Sequence, residues 1–264
     1  MILIDDADDP RVACFRRNER GLTNRRQRRN DEGDGLFMAE GDLVVERALD
    51  AGCTAVIALV DAAKPPPITD RLPADVPIYA GGDRVRAMVT QLGTPQGIVA
   101  LFARPARVSV EALAQHATRL IVAEAVDNPI NIGSIVRNAV ALGWDGMIFD
   151  YTSADPLSRR SLRVSMGQAI SFPAARSIDL PADLRHLTAG GFAVCALTPS
   201  SDADDIGSIA VTEKMCIVIG SERSGLSVEA VTACTHRARI PMADAVDSLN
   251  AAAATAIACY ALRG

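Results

Sequence analysis

The stretch Arg119–Gly143, RLIVAEAVDNPINIGSIVRNAVALG, decides the fold class of this chain. Its first eight residues, RLIVAEAV, are mostly apolar, and their run LIVA is typical of a strand buried on both faces. The turn residues Asn128 and Pro129 follow, and from Asn131 to Gly143 the apolar side chains recur at helical spacing. A buried strand that runs directly into a helix predicts an α/β protein with a mostly parallel sheet.

The alternation of strand and helix patterns extends on both sides of this stretch. Before it, the sequence predicts two helices, LVVERALDAG and DRVRAMVTQLG, and three strands, TAVIALVDA, VPIYAGG and GIVALFARP. We therefore expect a small α/β domain over residues 35–105, preceded by a basic N-terminal arm over residues 1–34.

The second half carries a longer series of predicted elements. It begins with the helix VSVEALAQHA and continues after the opening stretch with the strand GMIFD, then SLRVSMGQAISFPAARS as a helix followed by a loop. LRHLTAGGFAVCALTP predicts a helix, a turn and a strand, EKMCIVIGSERSG a strand and a glycine turn, ARIPM a short strand, and DSLNAAAATAIACYALRG a final helix. These elements predict a second α/β domain over residues 106–264.

The composition excludes several classes of protein. The chain has 264 residues, of which 49% are hydrophobic and 22% charged, which suits one large domain or two small ones. Charged residues or Pro interrupt every apolar run before it reaches the roughly 18 to 20 residues of a membrane span. The start, MILIDDADDP, is acidic where a secretory signal is basic and then apolar, so we expect a cytoplasmic protein.

The sequence lacks the motifs that usually bind metals or nucleotides. The six cysteines form no CxxC pair, and with three histidines no zinc spacing arises, so we expect no metal and cysteines that act as small buried hydrophobes. No GxxxxGK[ST], GxGxxG or GxSxG sequence occurs, which removes support from the common nucleotide-binding and hydrolase functions, including a dinucleotide-dependent oxidoreductase.

Arginine is concentrated near the start of the chain. The formal net charge is -5, which argues against a protein that coats nucleic acid over its whole surface. The segment FRRNERGLTNRRQRRNDEGDG nevertheless offers a local basic face that either neutralises RNA phosphates or is a solvated arm. The candidate RNA-binding residues are Arg16, Arg17, Arg25, Arg26, Arg28 and Arg29.

Three polar clusters lie where apolar strands end. The first holds Asn128, Asn131 and Arg137, the second is the glycine turn GSERSG around Glu222, and the third begins the last helix with DSLN. Each has an ordinary structural explanation: an arginine paired with an internal acid, a strand-to-helix turn, and a helix cap. The alternative is one ligand site, because a guanidinium offers five donors and glycines allow close backbone approach.

Taken together, the three clusters resemble the signature motifs of the SpoU (TrmH-type) RNA ribose 2′-O-methyltransferases of the SPOUT superfamily. The resemblance is carried by NPINIGSIVRNA, IVIGSERSGL and IPMADAVDSLNAAAA, with support from LRVSMGQAISFP. LFMAEGDLVVERALDAG and PQGIVALFARP resemble the small substrate-binding domain found in front of many members. The chain departs from the usual motifs at Arg223 and Ser224, between Glu222 and Gly225, and in the run Ala251 to Ala254.

The resemblance implies a fold, a cofactor and partners. The fold is an α/β one with a C-terminal SPOUT domain tied in a deep trefoil knot and a smaller N-terminal α/β substrate-binding domain. The cofactor is S-adenosylmethionine, bound in the knot, and no metal takes part. The partners are structured RNA, with ribosomal RNA favoured over transfer RNA because of the extra front domain, and a second copy of the chain in a homodimer formed through the knot domain and the C-terminal helix.

The resemblance also implies roles for particular residues. The catalytic group comprises Arg137, Asn131, Glu222, Ser248 and Asn250. The cofactor-binding residues are Leu197, Thr198, Ile219, Gly220, Ile240, Met242, Ser248 and Leu249. Since a guanidinium is hard to deprotonate, we expect Arg137 to orient the ribose and stabilise the developing alkoxide rather than act as a base.

The function indicated by the resemblance is S-adenosylmethionine-dependent 2′-O-ribose methylation of RNA, with ribosomal RNA as the favoured substrate. Two alternatives remain open at this point. One is a 2′-O-methyltransferase of transfer RNA, and the other is a non-catalytic RNA-binding assembly factor of the same fold. The intact polar residues of all three motifs argue against the non-catalytic alternative.

Overall fold

The structure, a computed structural model, describes residues 1–17, 22, 35–91, 93–243 and 246–263. The strands, numbered along the chain, are β1 Ile2–Ile4, β2 Leu36–Glu40, β3 Ala55–Asp61, β4 Ile78–Gly81, β5 Ile98–Ala103, β6 Arg119–Ala123, β7 Gly146–Asp150, β8 Ala174–Ser177, β9 Ala193–Leu197, β10 Asp204–Asp205, β11 Met215–Ile219 and β12 His236–Arg239. The α-helices are α1 Asp42–Asp50, α2 Asp83–Thr90, α3 Val110–His116, α4 Pro129–Ala141, α5 Arg159–Val164, α6 Leu180–Ala189, α7 Val228–Ala233 and α8 Ala251–Ala261.

The chain divides into two compact units. Unit 1 comprises Met1–Ala106 and Leu157–Ser171, and unit 2 comprises Arg107–Pro156 and Phe172–Gly264. The segment Leu157–Ser171 therefore groups with unit 1, although it lies inside the predicted domain of residues 106–264. The two units differ from the predicted domains in this segment.

Unit 1 is built on a mixed five-stranded sheet with the order β1-β4-β3-β5-β2. Strands β1 and β3 pair with β4 in parallel, whereas β5 pairs antiparallel with β2 and β3. Strand β2, LFMAE, is not among the predicted elements, although Gly41 separates it from α1. Its residues from Phe37 onward are buried.

The first 17 residues belong to the fold of unit 1, which differs from the basic N-terminal arm predicted over residues 1–34. Strand β1 pairs with β4, and Pro10–Arg16 form a 3₁₀ helix whose Val12 and Phe15 are fully buried. Asp9 caps this helix by accepting a hydrogen bond from the backbone N–H of Arg11. The predicted RNA-binding residues Arg25, Arg26, Arg28 and Arg29 lie outside the described residues.

Helix α5 is held in unit 1 by ion pairs to one buried carboxylate. Glu40, at the end of β2, is buried and pairs with Arg159 and, at 2.7 Å, with Arg163. Arg159 also donates to the carbonyl oxygen of Thr90 at 2.7 Å. The arginines compensate a charge that would be costly to bury alone, which fixes the segment Leu157–Ser171 to the sheet of unit 1.

Unit 2 contains a seven-stranded sheet with the order β10-β12-β9-β11-β6-β7-β8, in which every pair of neighbours is parallel. The predicted α/β fold with a mostly parallel sheet is thus confirmed. Strands β6, β7 and β11 are almost entirely buried, as expected from their mostly apolar sequences.

Four elements of unit 2 differ from the sequence predictions, and two of them, β10 and α7, were not predicted. Residues 174–177, predicted as a loop, form the edge strand β8, which pairs with β7. The predicted strand ARIPM lies too late, because β12 ends at Arg239 and Ile240 to Met242 form no regular structure. Because the sheet is parallel, β6, β9, β11 and β12 end at the same edge, where loops from several strands can form one site. Within the described residues, no helix is long and apolar enough to span a membrane.

Candidate functional site

A cavity of about 470 Å³ opens at the carboxyl ends of β9, β11 and β12 in unit 2. This is the position at which open parallel sheets bind ligands, and the volume lies within the range of small-molecule sites. Most of its lining residues come from three parts of the chain: Leu197 to Pro199 at the end of β9, the loop from Ile219 to Leu226, and Ile240, Met242, Asp247 to Leu249, Ala251 and Ala254 before and within α8. Val231 and Ala238 complete the lining.

Every residue predicted from the sequence to bind the cofactor lines this one cavity. Apolar side chains supply much of the wall, and the polar lining includes the hydroxyl-bearing side chains of Thr198 and Ser248. The lining includes Leu197, Thr198, Ile219, Gly220, Ile240, Met242, Ser248 and Leu249. The placement is therefore as expected, and the binding role of each residue stays a prediction.

The loop Gly220–Gly225 closes tightly on itself beside the cavity. The backbone N–H of Gly225 donates to the carbonyl oxygen of Ser221 at 3.0 Å, and the N–H of Ser224 donates to the Ser221 hydroxyl at 3.1 Å. A Cβ atom on Gly220 would overlap the carbonyl group of Gly225 and come within 2.5 Å of the backbone nitrogen of Leu226. Gly225 has a φ of +66°, in the left-handed region. The sequence GSERSG thus needs both glycines to make this turn.

Three side chains, one from each sequence motif, meet in a hydrogen-bonded cluster that we call the amide cluster. Asn131 on α4 donates its Nδ2 to Glu222 Oε1 at 3.0 Å. Asn250 donates its Nδ2 to Asn131 Oδ1 at 3.0 Å and to Glu222 Oε1 at 2.5 Å. Asn131 is buried, and Glu222 also lines the cavity, so the amide cluster connects α4 to the wall of the site.

The helix cap of α8 fixes the orientation of this cluster. Asn250 is the N-cap, and its Oδ1 accepts from the backbone N–H groups of Ala252 and Ala253 at 2.9 and 3.3 Å. Because its oxygen is committed to these donors, its Nδ2 must face Asn131 and Glu222. Asn131 then presents its oxygen to Asn250 and its own Nδ2 to Glu222. One helix terminus thus sets the donor and acceptor pattern of three motifs.

A buried carboxylate, which the sequence analysis missed, shapes the loop before α4. Asp150, at the end of β7, accepts from the backbone N–H groups of Ala125 at 3.0 Å and Ser153 at 2.9 Å, and from the hydroxyls of Ser153 and Thr152. Ala125 has a φ of +53°, a strained value for a residue with a side chain. Burial raises the pKa of Asp150, but these hydrogen bonds outweigh it and hold the pKa below its ordinary value.

A second missed residue, Glu124, connects β6 to the loop after the glycine turn. Its carboxylate accepts from the backbone N–H of Ser227 at 2.8 Å and from the Ser227 hydroxyl at 2.6 Å, and Ser227 in turn caps α7. In sequence, Glu124 and Asp150 are single acids at strand ends, a very common pattern. Only the parallel order of β6, β7 and β11 shows that each acid fixes the loop of a neighbouring strand.

Arg137 lies on an exposed side of α4 and does not line the cavity of its own chain. Asn131 and Asn138, seven residues apart, face α8, where Asn138 donates to the carbonyl oxygen of Ala252 at 3.1 Å. Arg137 leaves the helix about 100° away from Asn138. Among the described residues it makes no ion pair, so the structural alternative of an arginine paired with an internal acid finds no support.

The predicted arginines of unit 1 differ in their environments. Arg16 pairs with Asp8 at 2.8 Å and donates to the carbonyl oxygen of Ala7, so its side chain is engaged within the fold. Arg17 is exposed. These positions leave their RNA-binding role a prediction.

The cysteines have the environments of buried hydrophobes. Burial raises the pKa of Cys195, Cys234 and Cys259 to about 12 and raises the pKa of Cys216 well above its ordinary value. Burial also raises the pKa of Cys14 and Cys53, which are partly exposed. In the described part of the chain, no three His, Cys, Asp or Glu side chains group in a way that would hold a metal ion.

An α/β sheet with a ligand cavity at its carboxyl edge, lined by three motifs that meet in the amide cluster, defines a cofactor-binding enzyme domain. Residues 118–260 match the SpoU rRNA Methylase family, and residues 17–100 match the MRM3-like substrate binding domain. The chain belongs to the SpoU methylase family. This confirms the resemblance drawn from the three motifs.

Similar proteins extend over nearly the whole chain. An uncharacterized tRNA/rRNA methyltransferase of Mycobacterium tuberculosis is 36% identical over 97% of this chain and 89% of its own length. The 23S rRNA (guanosine(2553)-2′-O)-methyltransferase RlmP of Bacillus subtilis is 29% identical over 86% of this chain and 88% of its own length. The structure of an AdoMet-bound rRNA methyltransferase from Sinorhizobium meliloti superposes with a TM-score of 0.83 at 26% identity, covering 99% of this chain and 97% of that one.

The protein is a methyltransferase with S-adenosylmethionine as its cofactor, and the cavity suits that molecule. The apolar side chains of Leu197, Ile219, Ile240 and Leu249 line the cavity and suit contact with an adenine ring. Residues Ile240 to Met242 lie outside the sheet, so the sheet does not use their backbone N–H and C=O groups. A Cβ at Gly220 would require the loop beside the cavity to move. The trefoil knot, which strand order by itself does not test, stays a prediction.

Proposed function

We propose that the protein methylates a ribose 2′-hydroxyl of ribosomal RNA. The observation that carries this proposal is the amide cluster, in which Asn131, Glu222 and Asn250 bring the three motifs together at the wall of the cofactor cavity. The name of the B. subtilis relative, a 23S rRNA 2′-O-methyltransferase, supports the reaction and the substrate. The match of residues 17–100 to a substrate-binding domain supports a large RNA.

The chain's own residues have a limited chemical task. The cofactor, when bound, supplies a methyl group on a sulfonium, which is already activated for transfer. The protein must hold the ribose oxygen in line with that methyl group and stabilise the negative charge that develops as the hydroxyl loses its proton. A guanidinium remains protonated at neutral pH, so Arg137 is suited to orient and stabilise that oxygen. The amide cluster holds α4, which carries Arg137, against the cavity wall.

We also propose that the active form is a homodimer. Helix α8 has no charged residue, and although one side packs on α4, Ile257 and Tyr260 are 41% and 60% exposed. Such exposed apolar side chains on a well-packed helix suit a subunit interface. A second copy would also give Arg137 a place to act, since it does not line the cavity of its own chain.

The reaction is tested by transfer of labelled methyl groups from S-adenosylmethionine to unmodified ribosomal and transfer RNA. We expect the wild type to label ribosomal RNA at a ribose, and Arg137→Ala to lose about 10²- to 10³-fold in rate, as for removal of one oxyanion donor. Arg185→Ala is the matched control, because Arg185 is an exposed arginine of unit 2 away from the cavity. Labelling of transfer RNA alone would refute the ribosomal substrate. Cofactor binding without transfer to any RNA would favour the non-catalytic alternative.

The dimer is tested by sedimentation velocity. We expect the wild type to sediment as a dimer and Ile257→Glu as a monomer that still binds the cofactor. Val228→Glu, a change at an equally apolar but 77% exposed position on α7, should remain dimeric. Coexpressed Arg137→Ala and Gly220→Ala chains should show partial activity in a mixed dimer if each Arg137 serves the partner's cavity. A monomeric wild type with full activity would contradict the proposal.

A further inference from the structure

Arg223 is the one cation among the described residues that line the cofactor cavity. The other charged side chains in the lining are the carboxylates of Glu222 and Asp247. Arg223 is exposed, and in the described part of the chain no hydrogen bond or ion pair engages its guanidinium. It also occupies one of the two positions at which the second motif departs from its usual sequence. Neither the fold nor the amide cluster explains an arginine there.

Hydrogen bonds between residues before and after Arg223 fix the loop that carries it. Ser221 accepts hydrogen bonds from the backbone N–H groups of Ser224 and Gly225, and the hydroxyls of Ser221 and Ser224 lie 2.8 Å apart. Ser221 and Gly225 also pair as an isolated β-bridge. The backbone of Arg223 is therefore held in one turn, and ligand binding need not order the loop first. Binding of an anion then has to order only the side chain of Arg223, which lowers the entropy cost.

The neighbouring carboxylate does not satisfy Arg223. Glu222 Oε1 accepts from both Asn131 and Asn250, and these hydrogen bonds hold Glu222 within the amide cluster. A guanidinium at the cavity edge with five free donors is matched by an incoming anion that accepts two of them.

The charges of S-adenosylmethionine identify that anion. The cofactor carries two positive groups, a sulfonium and an ammonium, and one negative group, its α-carboxylate. Asp247, the acidic residue of the lining outside the amide cluster, suits a positive group, whereas a carboxylate that enters a partly desolvated cavity requires a cation or suffers a large cost. We propose that Arg223 binds the α-carboxylate of the cofactor and so sets the affinity for ligands that carry the amino-acid part. This inference uses the cofactor assignment and needs no RNA substrate.

The test compares two ligands that share the adenosine part. S-adenosylhomocysteine contains the α-carboxylate, and 5′-methylthioadenosine lacks the whole amino-acid part. Affinities are measured by calorimetry, with displacement of S-adenosylhomocysteine for the weaker ligand. We expect Arg223→Met, which keeps the apolar stem, to weaken S-adenosylhomocysteine by about fivefold to tenfold, the effect of one charge-assisted hydrogen-bonded pair at a partly exposed site. The affinity for 5′-methylthioadenosine should not change.

The controls distinguish this role from other ones. Arg223→Lys should retain part of the affinity, since a lysine keeps the charge but not the planar pair of donors. Arg185→Met, far from the lining residues, should match the wild type for both ligands. An equal loss for both ligands would show that Arg223 only supports the loop, and unchanged affinities for both would also overturn the proposal. If Arg223→Met weakens RNA binding alone, the guanidinium contacts a phosphate instead of the cofactor. Because no methyl transfer is measured, failure of the RNA assignment leaves this test intact.

Discussion

The replacement of Asn250 by Ala should reveal how far the amide cluster stabilises unit 2. The variant loses the cap of α8, in which Asn250 Oδ1 accepts from Ala252 and Ala253. It also loses two donated hydrogen bonds, one to Asn131 and one to the carboxylate of Glu222. The buried Asn131 then keeps an oxygen without that donor.

The expected loss is derived from these contacts. The cap is worth about 1 kcal/mol, and the two side-chain hydrogen bonds together add about 1 kcal/mol after discounting for the exposure of Asn250. The free energy of unfolding of unit 2 should fall by about 2 kcal/mol. In a urea titration this corresponds to a midpoint lower by about 1 M, taking a slope of about 2 kcal/mol/M.

The chain contains a convenient reporter for this measurement. Trp144 is the single tryptophan, it is buried, and its Nε1 donates to the carbonyl oxygen of Cys259 in α8 at 3.2 Å. Its fluorescence therefore follows the detachment of α8. Ser109→Ala is the control, because Ser109 caps α3 through Ala112 and lies in none of the three motifs. Ser109→Ala should lower the free energy of unfolding by about half as much as Asn250→Ala, and it should leave cofactor binding unchanged. Equal losses in the two variants would refute the energetic role of the amide cluster.

Three further results are expected. Gly220→Ala should abolish cofactor binding in calorimetry, since its Cβ would overlap Gly225, whereas Gly207→Ala, with no atom within 4 Å of the new Cβ, should bind normally. Hydrogen bonds hold the pKa of Asp150 below its ordinary 3.8, so the stability that the ionised carboxylate contributes should be complete above that pH and disappear as the pH falls further. Asp150→Asn should therefore have a lower free energy of unfolding than the wild type at pH 7. The acid-unfolding profile of the variant should lack this pH dependence. In a thiol-reagent titration at pH 8, the native protein should react first at its partly exposed Cys14 and Cys53, and more slowly at Cys234, which is also partly exposed but has a pKa raised to about 12 by burial. Rapid reaction of all thiols before unfolding would contradict the burial of Cys195, Cys216 and Cys259.

The central strands of unit 2 could be predicted from the sequence because burial on both faces requires a run of apolar residues. Strand β11 and all of β6 after Arg119 consist of apolar residues, and the turns after them contain Asn, Pro or Gly. The residues predicted to bind the cofactor line one cavity, since they lie at or after the ends of strands that share one edge of the sheet, and their binding role stays a prediction. The short strand β8 was missed because AARS has neither β-branched residues nor a clear alternation.

Contacts between distant segments could not be predicted in the same way. Asp150 and Glu124 are single acids whose roles depend on the strand order of the sheet. The start of the chain was expected to be a basic arm, because charge dominates its composition. The structure instead shows that two apolar residues, Val12 and Phe15, suffice to bury a 3₁₀ helix in unit 1. Sparse hydrophobic residues at short spacing give too weak a pattern to separate such a helix from a loop.

The pairing of Glu40 with α5 has a consequence for synthesis of the protein. During synthesis the chain emerges from the ribosome with its N-terminus first, and N-terminal domains generally fold before later ones. Unit 1 lacks Leu157–Ser171 until the segment has emerged, and by then the residues of β6, α4 and β7 have already left the ribosome. Until that moment, the buried carboxylate of Glu40 has neither Arg159 nor Arg163 beside it. The first half of the chain therefore completes its fold only while the second half is being made, and a gene truncated after residue 106 would encode a unit 1 that lacks both arginine partners of Glu40.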